Sequence, residues 1–293
     1  MTKKKIVLWV CDYSRITGEG NLARKFIKDY FSKKNIKILK LNSKNILNQK
    51  YITPIIGIIY CWKNFLKGHK VVYVNYLPLW NFLIFIFLPP KTILGPITGG
   101  ALYSGGSNLN YVCRKFFFPI LYKISEFFLN FRYKKNIDFS TDLLKYFLSE
   151  KVIRKSKFNY FLKNFKFYKK KKKKIDFLIY YRLHKNKLAF FDKNFIKNLI
   201  KSNFKILVVG DKLELKGVKN LGYINKKKLS KLQSRSKYTL CSYENIYSLF
   251  VLECISNHVK IIINKKYLKR IKYFKKNFIS LEKLKKNENY NWN

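Results

Sequence analysis

Short runs of branched apolar residues, alternating with segments of helical periodicity, constrain this chain more than any other feature. Lys5–Val10 is an almost unbroken apolar run, and Val259–Ile263 is rich in β-branched residues. Such runs suit strands of a sheet covered on both faces, because a strand with one face in water alternates polar and apolar residues. Further strands are predicted at Ile36–Leu41, Val71–Val74, Thr92–Leu94, Asn136–Ser140, Ile175–Tyr180, Phe204–Val209, Val218–Tyr223 and Tyr238–Cys241. Helical patterns lie between them, near Leu22–Phe31, Ile55–Leu66, Arg114–Phe131, Asp192–Lys201, Lys226–Ser234 and from Leu249 to Ser256. Strand, loop and helix repeated in this order build an open α/β fold.

The 293 residues admit two ordinary domains, and a change of composition marks where they part. From Lys151 to Lys174 lysine is interspersed with phenylalanine and tyrosine, and the stretch ends in six consecutive lysines. Like charges repel, so this stretch is expected to be a solvated linker, with an anionic membrane face or single-stranded nucleic acid as the alternative use of its interleaved cations and aromatics. The expected organisation is therefore an N-terminal domain over 1–150, a linker over 151–174, a C-terminal domain over 175–264 and a basic helical tail over 265–293.

The formal charge of +48 draws the chain towards anionic partners, whether lipid, nucleic acid or phosphorylated substrate. Saturation with Lys, Asn, Ile, Phe and Tyr is also the pattern that A- and T-rich codons impose, so part of the charge is compositional. No recognised nucleic-acid motif accompanies it. The five cysteines are scattered without CxxC pairing, and the three histidines lack ligand-like spacing, so reduced thiols and no metal site are expected. The start, MTKKKIVLWV, reads as a first strand rather than a signal peptide. Val71–Pro90 has no charge for twenty residues, the length of a membrane helix. Asn75, Pro78, Asn81 and Pro89-Pro90 instead divide it into strand, turn and short helix, with Leu77–Leu88 as the candidate for lying against a membrane surface.

Chemistry concentrates in Cys241–Ile263. Ser248 can cap a helix beginning at Leu249, and the free N–H groups of a helix start favour a phosphate. Glu244 precedes that start and Glu253 lies about a turn and a half inside the helix. A carboxylate beside a phosphate seat does not bind the phosphate, so hydrogen bonds from sugar hydroxyls are its natural use. Two loops follow strands in the first half. One carries Gly18 and Gly20, and the other carries Thr98 and Gly99 in the run Gly95–Gly100.

These residues resemble the acidic loop–helix signature of retaining GT-B glycosyltransferases of the family-4 type. Eight residues, Asn245–Leu252, separate the acids where the family commonly has seven, and His258 stands where it commonly has glycine. Histidine tolerates positive φ better than most residues, so the same turn is expected. The resemblance extends to Arg182 and Lys187 after Ile175–Tyr180, to Gly210-Asp211 and to the Leu221–Tyr223 segment, in family order. It implies two Rossmann-like domains facing across a cleft. It also implies Arg182 and Lys187 on the donor diphosphate, Glu253 on the ribose, Glu244 by the donor sugar, and the helix start at Ser248 and Leu249 facing phosphate. Gly18, Gly20, Thr98 and Gly99 would line the cleft.

The implied activity is hexosyl-type transfer from a nucleoside-diphosphate-sugar, the co-substrate, to a glycan or lipid-linked acceptor. Configuration would be retained, with neither metal nor cofactor, in the cytoplasm or peripherally on the inner face of an anionic membrane. Two rivals stand beside it. One is a non-enzymatic basic protein on anionic membrane or nucleic acid, and the other is a degenerate transferase-like scaffold.

Overall fold

The computed structural model describes residues 5–15, 17–31, 36–40, 52–99, 109–133, 137–183, 193–241 and 245–287. The chain divides into two compact units, Met1–Lys163 and Asn164–Asn293. Both are mixed α/β, and each is built on a parallel sheet.

In the first unit β1 (Ile6–Val10) leads to α1 (Gly18–Phe31), β2 (Ile36–Lys40), α2 (Thr53–Leu66), β3 (Lys70–Val74), α3 (Phe82–Phe87) and β4 (Ile93–Leu94). Then α4 (Leu109–Val112) runs through a π turn at Cys113–Phe117 into α5 (Phe118–Arg132). The short pair β5 (Ile137–Asp138) and β6 (Ser156–Lys157) encloses α6 (Glu150–Arg154). The sheet order is β2-β1-β3-β4, with Leu8 in register with Ile38 and Val72.

Alternation along these strands assigns the two faces of the sheet. Leu8, Val10, Val72 and Val74 pack with Leu22 and Phe26 of α1, whereas Trp9 and Tyr73 pack on the opposite side with Leu79, Phe85 and Leu129. Burying each large apolar side chain contributes about 1.5–3 kcal/mol. α2 approaches the sheet through Gly57, where a Cβ would lie inside the indole of Trp9.

The helix α1 starts four residues before the predicted Leu22. The Thr17 hydroxyl accepts the Gly20 N–H at 3.0 Å and closes the first turn, so Gly18 and Gly20 are helical rather than part of the preceding loop. Among the described residues no helix is long and apolar enough to cross a membrane. The Leu77–Leu88 stretch turns only part of itself outward. Leu77, Leu79, Ile84, Phe85 and Leu88 are buried, and only Leu83 and Phe87 of its large apolar residues are well exposed.

In the second unit β7 (Ile175–Tyr181) is followed by α7 (Lys193–Lys201), β8 (Ile206–Gly210), β9 (Val218–Asn220), α8 (Lys226–Arg235) and β10 (Ser236–Leu240). After these come α9 (Leu249–Ser256), β11 (Lys260–Ile263), β12 (Phe278–Ser280) and α10 (Leu281–Asn287). The sheet order is β12-β11-β10-β7-β8-β9. The chain moves outward from β7 through β8 to β9, then returns past β7 and continues the other way through β10, β11 and β12. Strand order thus reverses between β7 and β10, where an open parallel sheet forms a crevice at its carboxyl edge.

The segment after β11 differs from the helical tail predicted, because it supplies β12, whose Phe278 pairs in register with Ile261. The division between units at Lys163 falls inside the lysine-rich stretch, whose first part is folded as α6 and β6. Its second part has no regular structure, but Lys173 is anchored. Its ammonium donates to the carbonyls of Ser234 at 3.3 Å and Asn257 at 2.8 Å, at the C-terminal ends of α8 and α9. Cations are favoured there because unpaired carbonyls give a helix end partial negative charge.

Candidate functional site

Two residues stand immediately after adjacent strands at the carboxyl edge of the second sheet: Arg182 after β7 and Asp211 after β8. Their closeness depends on Gly210. Its φ is +101°, and a Cβ there would collide with the Tyr181 carbonyl, so glycine alone lets β8 turn this close to β7. The Asp211 carboxylate then gathers three donors. Leu183 N–H donates to Oδ2 at 2.6 Å, the Tyr223 hydroxyl donates to Oδ1, and Arg182 Nε lies 3.7 Å from Oδ2. The Tyr223 hydrogen bond first, then the Leu183 N–H and Arg182, hold this carboxyl below its ordinary range. Arg182 also donates to the Tyr180 hydroxyl at 3.0 Å, and its guanidinium lies 5.7 Å from the Tyr223 ring centre.

This geometry presents a cation without spending it. The Arg182 side chain keeps 43% of its exposure, and an ion pair so open to water contributes about 0–1 kcal/mol. An arriving diphosphate, with charge-assisted hydrogen bonds of about 1.5–3 kcal/mol each, outweighs it.

The helix α9 enters from the other side of the reversal. Ser248 caps it, accepting the Val251 N–H at 3.4 Å, and Leu249 is its first residue, so its free N–H groups begin just beyond β10. Tyr180 of β7 stacks on Phe250 of α9 with ring centres 5.3 Å apart. Glu253, three residues further on, faces α8. Its Oε1 is 3.1 Å from Lys226 Nζ, and its Oε2 accepts from Gln233 Nε2 at 3.4 Å. The strand bearing Arg182 and the helix bearing Glu253 are thus joined, while the two side chains are engaged in different directions: Arg182 towards Asp211, Glu253 towards Lys226. After α9, His258 takes φ +58°, the turn expected where the resembled family has glycine. Lys187 and Glu244 lie outside the described residues.

In the first unit Gly18 and Gly20 sit at the start of α1, beyond β1. A Cβ at Gly20 would meet the Ser14 backbone, whereas Gly18 faces open space. Thr98 is tied by its backbone to Leu77 at 2.9 Å and Leu79 at 2.8 Å, and Gly99 is pressed against Leu144.

The reversal between β1 and β3 carries groups that the sequence reading passed over. Asp12 accepts from Ser14 N–H at 2.8 Å and from the Thr17 hydroxyl, and its own N–H donates to Asn75 Oδ1 at 3.2 Å. Asn75 Nδ2 donates to the Glu19 carbonyl at 2.7 Å, and Glu19 Oε2 accepts the Tyr76 N–H at 3.4 Å. Asn75 and Tyr76 have φ of +71° and +44°, a strained pair just past a strand end. Burial pushes the Glu19 carboxyl above its ordinary value. Asp12 and Asp211 share a signal that was open to sequence reasoning: each is a carboxylate within two residues of a predicted strand end, the edge where α/β folds place ligands.

No protein-family model matches the chain, and no curated protein matches it. Among solved structures, the Methanocaldococcus jannaschii UDP-GlcNAc 2-epimerase in complex with UDP-GlcNAc and UDP aligns at 12% identity with a TM-score of 0.44, covering 99% of this chain and 93% of that one. The E. coli heptosyltransferase WaaC with ADP-2-deoxy-2-fluoro heptose aligns at 8% identity and a TM-score of 0.32, covering 94% and 92%. The glycotransferase of kitacinnamycin aligns at 7% identity and a TM-score of 0.39, covering 89% and 81%. All three scores fall below 0.5, so what this chain does is argued from its own residues.

Proposed function

We propose that the chain is a GT-B-type glycosyltransferase that moves a hexosyl group from a nucleoside-diphosphate-sugar to a glycan or lipid-linked acceptor. The observation that carries this reading is the placement of Arg182 at the β7 end of the strand reversal, joined through Tyr180 and Phe250 to the capped start of α9. A fixed cation and a helix start are the two devices by which proteins hold phosphate.

In this reading Arg182, with Lys187, neutralises the charge that builds on the departing diphosphate, the task of a preorganised electrostatic site. The start of α9 at Ser248 and Leu249 faces a phosphate. Glu253 exchanges its contact with Lys226 for the ribose hydroxyls, and Glu244 orients the donor sugar. The leaving phosphate takes the acceptor proton on the face it vacates, which gives retention of configuration without a metal ion or further cofactor. Gly18 and Gly20 belong to the cleft floor near the donor phosphates and the acceptor, Thr98 and Gly99 belong to the acceptor side, and the enzyme works in the cytoplasm.

The test is calorimetric titration of UDP-, GDP- and ADP-sugars against the full chain and its Arg182→Ala and Glu253→Ala variants. One donor is expected to bind, and each variant is expected to lose about 1.5–3 kcal/mol of that affinity, tenfold or more. Equal affinity in all three proteins argues against the reading. So does binding that follows salt alone, which is the behaviour of a merely basic surface.

A further inference from the structure

The helix α2 is amphipathic in the wrong sense. Thr53, Pro54, Gly57, Cys61 and Asn64 face the sheet, while Ile55, Ile59 and Leu66 point to solvent with exposures of 60%, 64% and 77%. A helix laid on a sheet ordinarily turns its polar residues outward. Along α5, Ile120, Phe127 and Phe131 repeat the pattern, with the Phe127 and Phe131 rings parallel at 6.4 Å.

These faces are fastened into one surface by hydrogen bonds. The Trp62 indole of α2 donates to the Phe87 carbonyl of α3 at 2.7 Å. Arg132 of α5 donates to the carbonyls of Phe85, at 2.9 Å, and of Ile86 and Leu88, which closes the end of α3 from the other side. Leu83 and Phe87 of α3 are exposed between the two longer helices. A monomeric protein rarely leaves so much contiguous apolar surface in water.

Charge identifies the occupant. From Ile52 to Tyr133 the sequence has eight Lys and Arg residues and a single acid, Glu126. That acid is buried, accepting the Ser149 N–H and pairing with Lys123 at 3.1 Å. Lys63, Lys67 and Lys115 are exposed on the helices that bear the apolar faces, so the surface is apolar with a wholly cationic margin. A second copy of a chain of charge +48 would bring like margins together. An acidic headgroup layer over a hydrocarbon interior complements both features at once.

The geometry points to the α2–α3–α5 face of the first unit as a docking surface for an anionic phospholipid bilayer. Leu66, Phe87 and Phe127 enter the acyl boundary, and Lys63, Lys67 and Lys115 meet phosphate headgroups. The surface lies wholly in the first unit and does not depend on the donor site of the second.

The experiment is co-sedimentation of the full chain with vesicles of phosphatidylcholine alone and of phosphatidylcholine mixed with phosphatidylglycerol. The wild type is expected to sediment with the mixed vesicles and weakly with the neutral ones. Leu66→Ser combined with Phe127→Ser, and separately Lys63→Glu combined with Lys67→Glu, should each weaken binding about tenfold or more. Nucleotide-sugar titration of the same variants should be unchanged, which separates this inference from the transferase reading. Failure to sediment with mixed vesicles would overturn it, as would undiminished binding by both double variants. A lipid-free dimer in sedimentation velocity that the Leu66/Phe127 variant abolishes would assign the face to a second copy instead.

Discussion

Tyr180 and Phe250 stack with their ring centres 5.3 Å apart, and the contact bridges the two arms of the strand reversal in the second unit. One ring belongs to the strand that Arg182 immediately follows, and the other lies two residues after the Ser248 cap. An aromatic pair of this kind contributes about 0.5–1.5 kcal/mol beyond area burial. In the transferase reading its larger effect is to hold a cation and a helix start in fixed relation. Tyr180→Ala should therefore weaken nucleotide-sugar binding about tenfold while changing the melting temperature little, because Tyr180 is well exposed. Tyr180→Phe keeps the stack, loses the hydroxyl that receives Arg182, and should fall between wild type and alanine. Calorimetry and thermal melts decide it, and an alanine variant that binds like wild type refutes the coupling.

Gly210 and Gly18 make a paired test of backbone demand. Gly210→Ala forces a side chain into φ +101° and onto the Tyr181 carbonyl, so destabilisation of about 2–4 kcal/mol is expected. Gly18 starts α1 facing open space, so Gly18→Ala should be neutral or stabilising by up to about 1 kcal/mol. Urea unfolding of both variants checks the contrast, and equal midpoints would contradict it.

The Glu19 carboxyl is pushed up in the folded protein by burial, even though a helix first turn favours its charge. A carboxyl with a raised folded value stabilises the fold below its unfolded value, and that contribution is lost as pH rises through the folded one. Glu19→Gln should then be more stable than wild type at pH 8, with the advantage vanishing by about pH 4. Melting temperatures across that range would show it, and a glutamine variant less stable at pH 8 would reverse the assignment.

Burial pushes the Cys11, Cys61 and Cys241 thiols up to about 12 and Cys254 well above its ordinary value, so none offers a thiolate near neutrality. Cys113 is partly exposed. Titration with an aromatic disulfide reagent at pH 8 should register one fast thiol in the native protein and five in denaturant. Rapid reaction of any buried thiol would count against the packing of its core.

Much of this architecture was readable beforehand, because a strand buried on both faces writes itself as a run of branched residues. β1, β3, β8 and β11 fall within a residue or two of their predicted ranges. Departures arise where tertiary context overrides local preference. The apolar periodicity of α1 begins only at Leu22, yet the Thr17 hydroxyl caps a first turn that starts at Gly18. β12 lies in a lysine-rich tail and becomes a strand because Ile261 offers it an open sheet edge.

Composition also gave no hint that Ile59, Leu66 and Phe127 face outward, since the same residues on the same helices would serve equally well in a core. In the candidate site, Arg182 was legible from its place after a strand. Asp211 was legible in the same way, but its contact with Arg182 and Leu183 was not, because 28 residues separate Leu183 from Asp211 and only the parallel pairing of β7 with β8 brings them together.

The seating of Lys173 at two helix ends divides a tract of identical residues into unlike halves. Lys169–Lys172 are exposed, so a protease that cleaves after lysine has easy access there, and extra residues spliced among them merely lengthen the lead into β7. One position later the same insertion would break the anchorage to Ser234 and Asn257 and drag the first strand of the sheet out of register with β8 and β10. Six copies of one letter thus begin with four exposed positions and end in a two-residue stop, because the Lys174 N–H beside the anchored Lys173 donates to the Arg235 carbonyl at 2.7 Å.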